Sequence, residues 1–259
     1  MGKKYIFFDI DGTLTSHKTK DLIFESTLEA LRLLQENGHF VCLATGRAHF
    51  RAMLFADRIG LGNVVSEGGH HLTLNFEEVS YEYPDQEVLK DWMHRCDEHG
   101  LAWCVSTDDN RLRQCRHLDK WMEKVGPTPY FMEVEQKEFD IDELEGIRRF
   151  FVQTDMPFLR SLPPHDGLGL MGYEWSPFFC VEPDDKYAGI LKMTEMVGGK
   201  EEDIVVVGDG LNDISMFQKA PFGIAMGNAC DEVKAEADYI TDDAEHDGIY
   251  NACKHFGWI

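Results

Sequence analysis

Tyr5-Ile6-Phe7-Phe8-Asp9-Ile10-Asp11-Gly12-Thr13 runs a near-continuous apolar segment into two carboxylates, one residue apart, and a glycine turn. A strand that is apolar on both faces belongs inside a parallel sheet. In such sheets ligands bind in the crevice beyond the carboxyl ends of the strands. Asp9 and Asp11 fall at that end, where paired acids cost stability unless they do chemistry.

Outward from this segment, apolar strands alternate with helical patterns at both ends of the chain. Leu28, Leu31 and Leu34 share a helical face, which Ser26-x-x-Glu29 opens as a capping box and Asn37-Gly38 closes. A strand over 39–44, a helix over 48–59 and a short strand over 63–66 complete a βαβαβ series, which implies parallel pairing with right-handed crossovers. The rhythm returns late, with a helix over 187–197, a strand over 204–207, a helix from Asp213, a strand over 223–225 and a helix from Asp231. The two ends, residues 1–80 and 184–259, therefore read as one domain into which 81–183 is inserted as an α+β cap. About 100 residues suffice for a small core of its own. In the insertion a helix over 87–98 carries Val88, Leu89, Trp92, Met93 and Cys96 on one face, and strands over 101–106 and 111–116 flank Asp108-Asp109-Asn110 as a hairpin. The Pro- and Gly-rich stretch 156–177 fits no element. The fold class is α/β: a Rossmann-like parallel-sheet core with an inserted α+β cap domain.

Composition narrows the function classes. The 259 residues are 43% hydrophobic and 28% charged, as in a globular chain of one large or two modest domains. A net charge of -22 argues against nucleic acid and against anionic membrane surfaces as partners. A small phosphorylated metabolite is still allowed where local cations offset the field. No signal-peptide apolar region follows Met1, Ile6 breaks the myristoylation pattern, and no window reaches the ~18 apolar residues of a membrane span. Seven cysteines without a CxxC pair fit thiols of a reducing compartment. The expectation is a cytoplasmic protein.

Three further spots follow strand ends. Thr45-Gly46-Arg47 sets a hydroxyl and backbone amides at a helix start, which suits phosphate oxygens, although taken alone the spot reads rather as an ordinary N-cap turn. Gly208-Asp209-Gly210-Leu211-Asn212-Asp213 is an acidic turn opening a helix, either a capped loop or a metal site. It lacks the third glycine of a dinucleotide fingerprint, and its carboxylates would repel pyrophosphate. Lys186 follows Asp184-Asp185 and alone reads as a solvated lysine. In a parallel sheet, however, the ends after Phe8, Ala44 and Val207 face one edge. Oxygen ligands from Asp9, Asp209 and Asp213 suit Mg2+ there. Elsewhere Cys96, His99, Cys104, Cys115 and His117 match no standard zinc spacing. His70-His71 show no metalloprotease spacing and read as surface or rim, whereas Met193, Met196, Trp92, Trp103 and Trp121 read as core.

These residues resemble the haloacid dehalogenase-like (HAD) hydrolases, and within them the Cof-type, subclass IIB phosphatases. Asp9-Ile10-Asp11-Gly12-Thr13-Leu14 resembles the first family motif, Ala44-Thr45-Gly46-Arg47 the second, Lys186 the third and Gly208 to Asp213 the fourth. Gly223-Ile224-Ala225-Met226-Gly227-Asn228-Ala229, with Val233-Lys234 and Ala237-Asp238, is similar to the family's tail segment. Four motifs in order, with a cap between the second and third, make the signal specific. Members often carry Asn-Gly after the third strand, where this chain has Gly68-Gly69-His70-His71, a departure that bears on substrate contacts in that loop.

The resemblance implies a Mg2+-dependent phosphatase in which Asp9 attacks phosphorus and forms an aspartyl-phosphate. Asp11 would protonate the leaving oxygen and then deprotonate water, and neighbouring carboxylates are expected to raise its pKa in that direction. Repulsion is the obstacle, since each pair of negative charges at ~3.5 Å costs on the order of 5 kcal/mol at an effective dielectric near 20. Mg2+ and Lys186 would answer it, with Thr45, Gly46 and Asn212 holding phosphoryl oxygens or orienting Lys186. The metal set implied is Asp9, Asp11 through its main-chain carbonyl, Asp209 and Asp213. Sugar phosphates are the favoured substrates. A phosphomutase or phosphotransferase acting on a sugar phosphate, or a phosphometabolite-binding regulator without turnover, would carry the same core residues.

Overall fold

The computed structural model describes residues 2–18, 22–126, 132–172 and 177–259. In chain order the elements begin with β1 (Tyr5–Phe8), α1 (Glu25–Glu36), β2 (Phe40–Ala44), α2 (His49–Ile59), β3 (Val64–Ser66), β4 (His71–Leu74) and β5 (Glu77–Tyr81). Next come α3 (Gln86–Glu98), β6 (Ala102–Ser106), β7 (Leu112–Cys115), α4 (Leu118–Lys124), β8 (Glu133–Gln136), β9 (Arg149–Gln153), α5 (Met156–Ser161), β10 (Leu168–Gly172) and β11 (Phe179–Pro183). The chain ends with α6 (Lys186–Met196), β12 (Ile204–Gly208), α7 (Ile214–Lys219), β13 (Gly223–Ala225), α8 (Asp231–Glu236), β14 (Tyr239–Ile240) and α9 (Gly248–His255). Two compact units result: Met1–Tyr81 with Asp185–Ile259, and Glu82–Asp184. Tyr81 goes with the first because it closes β5.

The first unit holds a sheet of strand order β14-β13-β12-β1-β2-β3-β4-β5, parallel from β14 to β3 and antiparallel through β4 and β5. Alternation along β1 sorts the core: Ile6 and Phe8 pack with Leu31, Leu34, Phe55 and Ile249 on one face, Tyr5 and Phe7 with Ile190, Met193, Phe217 and Val233 on the other. Each large side chain removed from water contributes roughly 1.5–3 kcal/mol, so helices on both faces are what make an all-apolar strand stable. From β1 the chain proceeds outward to β2 and β3, then returns to place β12 on the opposite flank of β1. That reversal is a topological switch point, and it opens a crevice at the carboxyl ends of β1 and β12.

Four details differ from the sequence expectations. The Ser26 capping box does not form; Phe24 is the N-cap of α1 without a side-chain cap bond, and Ser26 lies inside the helix. Leu28 is exposed, and the buried face is Thr27, Ala30, Leu31 and Leu34. Met196 is also exposed, as the last residue of α6, whereas Met193 is buried. The hairpin β4–β5 was not foreseen, because its two-residue turn, Asn75-Phe76, lacks glycine. Both residues have positive φ (52° and 65°), the geometry of a primed hairpin turn. Phe76 sustains it through contacts with Gly62: its N–H donates to the Gly62 carbonyl (2.9 Å), and its ring lies where a Gly62 Cβ would be.

The second unit is a sheet of order β10-β11-β9-β6-β7-β8. On one face α3 contributes Leu89, Trp92, Met93 and Cys96 against Trp103, Val105, Phe150, Val152 and Val181. On the other, Trp121 of α4 packs with Cys104, Cys115, Phe151 and Cys180. Within the stretch 156–177 that resisted assignment, 156–161 is helix and 168–172 strand, while 173–176 lie outside the described residues.

Candidate active site

Register brings the acids together. Phe8 pairs with Val207, the Asp9 amide donates to the Val207 carbonyl (2.9 Å), and Asp9 and Asp209 therefore leave neighbouring strands at the switch point. Lys186 enters from the first position of α6 and is 1% exposed. A cation there opposes the helix dipole, and its compensation is specific: Nζ donates to Asp9 Oδ1 (2.8 Å) and Asp213 Oδ1 (2.6 Å). The second oxygen of Asp213 accepts the backbone amides of Asp209 and Gly210, both at 3.0 Å. Asp213 is thus the post that holds both Lys186 and the Asp209 turn.

Gly12 has φ of +91°, and a Cβ on it would lie 2.1 Å from Asp209 Oδ2. Only glycine lets the turn after Asp11 pass so close to the second strand end. Thr13 Oγ1 then donates to Asp209 Oδ1 (2.7 Å), and Asn228, from the loop after β13, donates through Nδ2 to the Gly12 carbonyl (2.8 Å). His17 Nε2 meets Asp209 Oδ2 at 2.9 Å with 65% of its side chain exposed. The sequence reading assigned no role to Thr13, His17 or Asn228. Thr13 and Asn228 had a usable signal, since both follow parallel strands that end at the same edge.

Electrostatics set the site apart. Burial pushes Asp9 well above the ordinary carboxylate range; Lys186 opposes that shift, while Asp213, Asp209 and Asp11 add to it. Burial likewise raises Asp209 against the hydrogen bonds from His17 and Thr13. For Lys186 burial works against the charge, but Asp213 and Asp9 outweigh it and raise the ammonium. The hydrogen bond to Asp209 raises His17. Asp9, Asp209 and Asp213 each offer an oxygen within 4.8 Å of the others, so one ammonium is shared among crowded acids. An all-oxygen, acid-rich donor set with unrelieved charge fits a hard divalent cation of the Mg2+ kind.

Asp11 departs from expectation. Burial acts to raise its pKa, but the Arg47 hydrogen bonds and charge, with Arg51 and His17, outweigh it and lower the carboxyl. The Arg47 pairing is bidentate, Nε to Oδ2 at 2.7 Å and an Nη to Oδ1 at 2.6 Å, and 54% of the Asp11 side chain is exposed. The anticipated upward shift is outweighed because Arg47 binds both carboxylate oxygens and Arg51 and His17 add positive charge. Thr45 is buried, and its Oγ1 accepts the Arg47 amide (3.2 Å), with Gly46 between them in the loop from β2 to α2. Asn212 lies in a single 3-10 turn over 211–213, its Oδ1 folded over Gly210. The bonds that orient Lys186 come from Asp9 and Asp213.

The Gly68-Gly69 turn has a structural reason. Gly69 has φ of +106°, and a Cβ there would fall 2.1 Å from the Asp185 carbonyl; the Asp185 amide donates to the Gly68 carbonyl (2.8 Å). The turn seats the start of α6 and therefore Lys186. Gly69→Ala combines backbone strain with a clash against main chain and is expected to cost about 2–4 kcal/mol and to lower turnover. Urea unfolding measures this, and an unchanged midpoint would contradict the docking role.

The model of the haloacid dehalogenase-like hydrolase family matches residues 6–157 and 179–253. The pyridoxal phosphate phosphatase YbhA of Escherichia coli strain K12 is 28% identical, with 96% of this chain and 97% of that protein covered. The 5-amino-6-(5-phospho-D-ribitylamino)uracil phosphatase YcsE of Bacillus subtilis strain 168 is 26% identical, covering 99% and 96%. Among solved structures, the HAD subclass IIB sugar phosphatase BT4131 superposes with a TM-score of 0.77 at 28% identity, covering 99% of this chain and 100% of that one. The chain belongs to the haloacid dehalogenase-like hydrolases, in their Cof-type branch, and is a phosphoric monoester hydrolase.

Proposed function

We propose that this hydrolase is a Mg2+-dependent phosphatase of small phosphorylated metabolites, sugar phosphates foremost, working through an aspartyl-phosphate on Asp9. The observation that carries the reading is the buried bridge from Lys186 to Asp9 and Asp213 beside Asp209. Asp9, Asp209 and the main-chain carbonyl of Asp11 would hold Mg2+, with Asp213 contributing mainly through Lys186 and the Asp209 amide. The ion supplies positive charge that offsets the repulsion between carboxylate and phosphoryl oxygens.

Asp9 attacks phosphorus as its P–O ester bond breaks, and Asp11, once protonated, delivers a proton to the departing alkoxide. In the second half Asp11 takes a proton from water as that water attacks phosphorus, and the bond to Asp9 breaks to release phosphate. The Arg47 pair must open for Asp11 to be protonated, so substrate oxygens drawing Arg47 away would arm the acid. Thr45, the Gly46 amide and Asn212 line the loops suited to phosphoryl oxygens. Lys186 stays charged throughout and balances Asp9 before and after attack. Residues 82–184 are the proposed specificity cap, and the cytoplasm the proposed location. Among the described residues no helix is long and apolar enough to cross a membrane.

The test is chelation followed by reconstitution with a generic aryl phosphate. EDTA should silence phosphate release and Mg2+ restore it, whereas full activity in excess chelator would count against the metal role. A panel of phosphorylated metabolites should then give the highest kcat/KM with a sugar phosphate and release inorganic phosphate; an isomerised sugar phosphate as the product would indicate a mutase instead.

A further inference from the structure

A second cluster of metal-binding side chains lies on the far flank of the first unit. His49 opens α2, His71 opens β4 and Glu78 stands on β5; each offers a ligand atom within 4.8 Å of the other two. The histidine expected at the surface or rim is buried: His71 is 1% exposed. Its ring stacks on that of His49, with centroids 3.7 Å apart and planes 14° from parallel. His71 Nε2 meets Glu78 Oε2 at 2.6 Å, and His49 Nε2 meets Thr73 Oγ1 at 2.9 Å.

The backbone explains how these groups converge. His71 and Thr73 share one face of β4, two residues apart. Opposite them β5 carries an irregularity: His71 pairs with Tyr81 and Leu72 with Ser80, but Thr73 pairs with Glu78, so Val79 is the extra residue of a β-bulge. A bulge re-aims a side chain, and here it sets the Glu78 carboxylate beside the two imidazoles. The amide of His49 in turn donates to the buried Glu67 carboxylate (3.2 Å), which fixes the start of α2 against the β3–β4 turn.

We propose that His49, His71 and Glu78 form a binding site for a zinc-class divalent cation, separate from the acidic site of Asp9 and Asp209. Two imidazoles and one carboxylate are a set that zinc accepts with water in the fourth position. Nitrogen donors favour zinc, copper, iron or nickel over Mg2+, so the two sites sort metals by chemistry. Ligand atoms around a tetrahedral zinc stand roughly 3.4 Å apart when bonds are about 2.0–2.1 Å, so the His49 ring must turn out of its stack on His71 and Glu78, whose side chain is 59% exposed, must draw back from its 2.6 Å contact. Burial and the neighbouring His49 lower the His71 pKa against Glu78 and Glu67. A bound ion would join the α2 start, β4 and β5, with His49 two residues after Arg47 and His71 two residues after Gly69.

The experiment is calorimetric titration of metal-stripped full-length protein with Zn2+ in saturating Mg2+. The proposal expects one Zn2+ per chain, an affinity at least tenfold weaker in Glu78→Gln, and loss of that binding in His49→Gln with Glu78→Gln. Both substituted side chains are at least partly exposed and spare the core, and circular dichroism checks their folding. X-ray absorption of the loaded protein should show two imidazole nitrogens bound to zinc. Absence of Zn2+ uptake, uptake unchanged in the double variant, or uptake abolished by Asp209→Asn instead would overturn the site. None of these outcomes depends on turnover, so the result stands apart from the phosphatase reading.

Discussion

Asp9→Asn is expected to lower kcat on an aryl phosphate by at least about 10^4-fold, the scale on which loss of a covalent nucleophile acts, while the protein stays folded. The amide has nearly the shape of the carboxylate but cannot form the acyl phosphate. Stability should hold or rise, since the lost group is a buried acid that burial and three neighbouring carboxylates push well above its ordinary pKa. Lys186 keeps its 2.6 Å bond to Asp213 in this variant. The checks are steady-state turnover and a urea midpoint at the same pH. Retained activity would remove Asp9 as nucleophile, and collapse of the fold would mean that the crevice needs its charge to assemble.

Lys186→Met is expected to do the opposite to stability. Removing one partner of a buried ion pair strands the other charge and typically costs about 3–5 kcal/mol; here two carboxylates, Asp9 and Asp213, lose their shared ammonium. Turnover should fall by about 10^3-fold or more, as when a preorganised donor to the reacting group is removed. The two substitutions are coupled through one bond. Asp9→Asn introduced into Lys186→Met should therefore recover part of the lost stability, a departure from additivity of about 0.5–3 kcal/mol. Denaturation of all four proteins measures it, and simple additivity would mean that the Lys186–Asp9 contact carries no energy.

Why the rest of the fold was harder to read follows from particular residues. The parallel strands announced themselves because burial on both faces demands unbroken apolar runs such as Ile204-Val205-Val206-Val207. The β4–β5 hairpin gave no such sign: its turn has a phenylalanine at a positive φ, tolerated only because Gly62, fourteen positions earlier, leaves room for the ring. The Ser26 capping box was a local pattern that lost to packing, which drew Ser26 into α1. His71 was misjudged because rings from other segments, His49 and Tyr81, pack against it. In the site, the acids at strand ends could be placed from the strand rule alone, whereas the Asp11–Arg47 pairing joins side chains 36 residues apart, which local pattern cannot orient.

Sequence by itself determined the central parallel strands, the edge where chemistry gathers and the residue types delivered there, because periodicity and strand ends are properties of short segments. Only the tertiary structure decided that Lys186 is buried between Asp9 and Asp213, that Gly69 must be glycine to seat α6, and that His49, His71 and Glu78 meet. Those facts depend on side chains from distant segments competing for the same few ångströms, and a one-dimensional pattern holds no record of that competition.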